Sequence, residues 1–95
     1  MNFERLCKVY EGMVRTAYQG LGFEAQKEER DIIMEMICEE CGCTKEDFEE
    51  MFNNLIYQPC MDAYNIHDWE LRGEVHDKIM DTRFPIFFTI IQEGK

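Results

Sequence analysis

Ninety-five residues with a net charge of −10, from twenty Asp and Glu against ten Lys and Arg, are enough for one small domain and too few for a second core. At 45% hydrophobic and 13% aromatic the chain is too apolar to stay disordered despite that charge. The charge also argues against direct binding to nucleic-acid phosphates or to an anionic membrane, because both need cations. The longest apolar stretch, Phe84 to Ile91, is interrupted by Pro85 and Thr89 and falls far short of the roughly 18 residues of a membrane span. The N-terminal residues 1–12 carry charges and no apolar core of a secretory signal, so a cytoplasmic protein is expected. Five cysteines, an odd number without a secretion signal, are expected to be reduced.

In chain order, Phe3, Leu6, Cys7, Tyr10, Met13, Val14, Ala17 and Tyr18 recur at steps of three and four, which predicts an amphipathic helix that Gly20-Leu21-Gly22 should stop. A second helix is predicted from about Glu24 to Cys41. Its inner face would carry Ile33, Met36, Ile37 and Cys41, broadened by Ile32, Met34 and Cys38. Gly42 follows as a terminator, and Thr44-Lys45-Glu46-Asp47 resembles a variant capping box with Thr44 as N-cap. Cys43 and Phe48 then stand at the positions of a hydrophobic staple.

Phe48, Met51, Phe52, Leu55 and Ile56 give a third helix that Pro59 should end. Asn65 or Asp68 can cap a fourth helix running to about Asp81 and burying Leu71, Val75, Ile79 and one side of Trp69. Gly73 within it costs roughly 1 kcal/mol of helix propensity. The tail from Phe84 to Ile91 suits either a short terminal helix starting near Pro85 or a strand in need of a partner edge, and the helix is the preferred reading. The expected architecture is therefore all-α, a single-domain bundle of four to five short helices over residues 1–95.

Three groups of residues invite a chemical reading. Cys38-Glu-Glu-Cys41-Gly-Cys43 has the shape of a zinc knuckle that Cys60 could complete with a fourth thiolate. Against zinc, Cys38 and Cys41 lie inside a predicted helix and no second C-x-x-C pair exists, so buried thiols without a metal or other cofactor are the expectation. A redox role for Cys38 and Cys41 lacks the strand–turn–helix context of thioredoxin-like chemistry. His67-Asp68 and His76-Asp77 could belong to a helical metal phosphohydrolase, but two histidines are too few, and both are expected at partly exposed positions with Asp68 as a cap. With no nucleophile-elbow, phosphate-loop, zincin or EF-hand pattern, catalysis is not expected.

The third group is the charge distribution. Residues 24–50 hold eleven acids and three bases, a net of −8, and leave −2 for the rest of the chain. Glu28, Asp31, Glu35 and Glu39 follow helical steps and should form a row, which Glu46, Glu49 and Glu50 would extend along the third helix. Like charges at such spacing cost a few tenths of a kcal/mol per pair, so stability alone would not produce a one-sided row. These seven residues are the candidate contacts for a basic protein surface. A row of carboxylates can also imitate a phosphate strand and occupy the groove of a nucleic-acid-binding protein. Phage-encoded inhibitors of CRISPR or restriction complexes include small acidic proteins of that kind; the parallel is one of class, since no family motif is present. Finally, seven Met, seven Phe, four Tyr and one Trp form an apolar surplus that either fills a core rich in large residues or forms a homodimer interface; the chain would then be a structural oligomer subunit whose assembly Phe87 and Ile90 in the tail control.

Overall fold

Asn2 starts the first helix by accepting the Arg5 N–H on its side-chain oxygen at 2.8 Å, which satisfies one of the orphan donors of a helix start. The computed structural model describes residues 2–21, 24 and 26–93, and these form helices without a strand among them. Helix α1 spans Phe3–Thr16 and continues into a wider, π-type turn over Ala17–Leu21. Gly22, the last residue of the expected stop signal, lies outside the described residues. Leu6, Cys7, Tyr10, Val14 and Ala17 are buried, the stripe that the spacing predicts.

Helix α2 spans Lys27–Cys41, three residues later than expected. Gln26 stands immediately before it in the left-handed region at φ 58°, a conformation that interrupts helical backbone. Its far end follows expectation: Gly42 takes φ 75° and donates its N–H to the Cys38 carbonyl at 2.8 Å, as a terminating glycine does. Its inner face is narrower than expected. Arg30, Met34, Ile37, Cys38 and Cys41 are buried and Ile33 is half-buried, while Ile32 and Met36 face outward.

Thr44 caps α3 (Lys45–Phe52), accepting the Asp47 N–H on its hydroxyl at 3.1 Å. Pro59 does not end this helix. A π-type turn over Asn53–Tyr57 leads directly into α4, Gln58–Ala63, with the Gln58 N–H reaching back five residues to the Asn53 carbonyl. Proline has no N–H to give to a partner four residues back, and a widened turn just ahead of it supplies the room its ring needs. The chain from 45 to 63 therefore stays helical.

Asp68, not Asn65, caps α5, accepting the N–H groups of Glu70 and Leu71 at 3.0 and 3.2 Å. This helix is one piece over Trp69–Glu93, so the expected break near Asp81 and the separate terminal segment are both replaced by continuous helix through Pro85. At 1.5 Å per residue its twenty-five residues span about 37 Å, close to the 40 Å long dimension of the molecule. Proline inside a helix costs about 3 kcal/mol. The offset is the packing on both sides of it: His76, Met80, Phe84, Phe87 and Ile91 are buried at steps of four, four, three and four. The inner face expected from Leu71, Val75 and Ile79 is displaced. Leu71 and Trp69 are exposed, and Val75 and Ile79 are half-buried beside the true stripe.

Rings from three helices meet at the centre. Tyr10 of α1 stands edge-on to Phe48 and Phe52 of α3 at 5.3 and 5.9 Å. Phe48 and Phe52 in turn meet Phe87 of α5 at 5.0 and 5.9 Å. Such edge-to-face pairs add about 0.5–1.5 kcal/mol each to the burial of their area. Helix α2 closes the bundle against α1 and α3.

Phe87 has 0% exposure and Ile90 38%. Phe87→Ala should therefore cost about 3–5 kcal/mol in urea unfolding and Ile90→Ala less than about 1 kcal/mol, because Phe87 belongs to the core and only Ile90 of the two stands at the surface. Equal losses from the two substitutions would refute this placement of α5.

Candidate functional site

Of the seven acidic residues singled out by sequence, Glu28, Glu35, Glu39, Glu46, Glu49 and Glu50 are exposed and Asp31 is half-buried. Asp31 pairs with Lys27 one turn away at 3.2 Å; the other six form no ion pair among the described residues. Two observations join α2 to α3. Asp31 and Glu49 both line an open cavity of about 270 Å³, together with Lys27, Arg30, Asn53 and Tyr57. Glu35 and Glu49 both act on the Cys38 thiol, adding to the upward push that burial gives its pKa. The acidic row thus runs on the side of α2 that adjoins α3. From Glu28 to Glu39 it covers eleven residue steps, about 16 Å along the axis.

The outward surface of α2 also contains what sequence reasoning assigned to the core. Ile32 is 57% exposed and Met36 36%, one turn apart. At 3.6 residues per turn they lie between the row of Glu28, Asp31, Glu35 and Glu39 on one flank and Glu29 and Glu40 on the other. The surface is therefore an apolar seam with acidic margins. The signal in the sequence was the width of the apolar set: seven apolar residues between 32 and 41 are more than the one face of a helix packed on two neighbours can bury.

The four cysteines proposed as a zinc site are not brought together. Cys60 is fully buried on α4 and lines a cavity with Tyr18, Tyr64, Trp69, Arg72 and His76, whereas the other three meet at the α2–α3 elbow. Cys43 Sγ lies 3.3 Å from Cys41 Sγ and 3.5 Å from Cys38 Sγ, so the half-buried Cys43 turns toward its fellow thiols. Burial pushes the Cys43 and Cys38 pKa values up and the Cys60 thiol up to about 11, which keeps all three protonated at neutral pH. Among the described residues no group of three or more His, Cys, Asp or Glu side chains is arranged to hold a metal ion.

The two His-Asp dipeptides are likewise separate. His67 is exposed in the turn before α5, while His76, expected at a partly exposed position, is buried in α5 with its ring 5.6 Å from that of Tyr18. No protein-family model, characterised protein or solved structure matches the chain. No helix among the described residues is long and apolar enough to cross a membrane.

His76 Nε2 is buried without a hydrogen-bond partner among the described residues. Burial lowers the His76 pKa from 6.5, Asp77 opposes the shift and Arg15 adds to it. A group whose folded pKa is depressed contributes stability above its unfolded pKa and loses it as the pH falls through the folded value. Thermal stability should therefore begin to fall below about pH 6.5, and His76→Phe, which keeps a ring against Tyr18, should remove that component. An unchanged slope between pH 6.5 and 5 in the variant would show that His76 is not its source.

Proposed function

We propose that this protein acts without catalysis, as an interaction module that docks the outward face of α2, with the adjoining acids of α3, onto a basic protein surface. The observation that carries the reading is the exposed Ile32–Met36 seam between acidic margins. Interfaces commonly combine an apolar centre that excludes water with a charged rim that steers encounter and fixes register. A helix presenting apolar anchors at i and i+4 is also a recurring way to fill a partner's groove.

The placement of the charges supports the same reading. Glu28 and Glu29 in the first turn of α2 suit the positive end of the helix dipole, but Glu39 and Glu40 near its last turn oppose the negative end, and no basic residue offsets them there. A basic partner would relieve that repulsion. The partner class is a protein with a cationic groove. Where such a groove ordinarily takes a phosphate backbone, the 16 Å row of carboxylates would compete for it, and the protein would act as an inhibitor that mimics nucleic acid. Five free thiols suit a reducing compartment such as the cytoplasm.

The test uses a synthetic amphipathic peptide with a leucine stripe flanked by lysines, its binding followed by fluorescence anisotropy. Glu35→Lys with Glu39→Lys, and separately Ile32→Ser, should each weaken binding about tenfold, and affinity should fall as salt rises. The control is Glu70→Lys with Glu74→Lys, the same change of net charge on exposed positions of α5, which should stay within about twofold. Equal losses in control and face variants would reduce the binding to net charge and remove the proposal.

A further inference from the structure

The α2–α3 elbow gathers three thiols with no part in the docking surface. Cys38 and Cys41 belong to the last turn of α2, and Gly42, by turning the chain through its left-handed backbone, returns Cys43 toward them. Cys43 Sγ is the hub, 3.3 Å from one sulfur and 3.5 Å from the other. It is also the accessible member, since Cys38 and Cys41 are buried. An accessible thiol in van der Waals contact with two shielded ones is the arrangement in which a first thiol reacts and a second resolves the product. The remaining cysteines, Cys7 and Cys60, are buried, and neither joins the sulfur–sulfur contacts of the elbow among the described residues.

We propose that Cys43 is a site of reversible oxidation by small-molecule disulfides of the glutathione class, giving an intrachain disulfide between Cys43 and one of its two α2 neighbours. Cys43 first gives its proton to solvent, and its thiolate attacks one sulfur of the small disulfide. The other half leaves as a thiolate and takes up a proton. The Cys41 or Cys38 thiol, losing its own proton, then attacks the Cys43 sulfur and expels the second half in the same way. The protein loses two protons and two electrons, and one small disulfide gains them to become two thiols. The new bond ties the last turn of α2 to the residue before the Thr44 cap. Because burial holds these thiols protonated, exchange is slower than at an exposed thiol of ordinary pKa.

The experiment incubates the reduced full chain with oxidised glutathione, blocks remaining thiols with iodoacetamide, and reads intact mass and a peptide map. The expected product is monomeric, two hydrogens lighter before alkylation, and carries three blocked thiols in place of the five of the reduced chain, with Cys43 linked to Cys41 or Cys38. Dithiothreitol should restore all five. Cys43→Ser, its fold checked by circular dichroism, should lose the intrachain bond, whereas Cys38→Ser and Cys41→Ser singly should each keep one through the remaining neighbour. The peptide map of the unsubstituted chain decides the matter even if a variant fails to fold. A chain that keeps five free thiols, a glutathione adduct that persists on Cys43, a link through Cys7 or Cys60, or a bond that survives in Cys43→Ser would overturn the proposal.

Discussion

The contact between Phe48 and Phe87 is the constraint on which the rest of the molecule depends. Both rings are fully buried 5.0 Å apart, and Tyr10 closes on the first of them from α1. Together they lock α1, α3 and α5 around one aromatic centre. The long α5 must then stay helical from one end of the molecule to the other, because Phe84, Phe87 and Ile91 reach the centre only in a helical register that continues past Pro85. Helix α2 is left as a lid packed on two neighbours. A helix with that position has one face to bury, and everything it carries in excess is displayed.

That geometry explains which parts of the fold were legible. Caps could be read because they depend on a side chain and a backbone N–H two or three residues away: Thr44 and Asp68 act within the distance that sequence inspection covers. The prolines could not, because their cost is local and its offset is not. Pro59 was read as a terminator, yet a π-type turn ahead of it lets the helix continue and carry Cys60 and Ala63 into the core. At Pro85 the offset lies in aromatic packing with residues nearly forty positions away. Local propensity yields to tertiary packing in both cases.

The candidate surface was legible in its charges and misread in its apolar residues, again for a physical reason. A carboxylate without a partner must stay in water, so an acid-rich helix shows its exposed positions directly. An apolar residue occurs on either side, since much of any protein surface is apolar. Ile32 and Met36 were placed in the core by type, whereas the register set by Met34, Ile37 and Cys41 places them outside. His76 is the converse. A polar residue took the inner position because its neighbours Met80 and Phe84, at successive steps of four, fix which face of α5 turns inward.

The acidic seam works against the stability of the helix that carries it. Stability would favour lysines near the last turn of α2, opposite charges one turn apart along the row, and polar residues at 32 and 36. The chain has glutamates, like charges and apolar side chains instead. Each departure costs only tenths of a kcal/mol to about 1 kcal/mol, and the aromatic centre tolerates them because α2 contributes just one face to it. Departures gathered on one surface, with local consistency kept elsewhere at the Asn2, Thr44 and Asp68 caps, are the pattern expected where a surface answers to a partner and not to the fold alone.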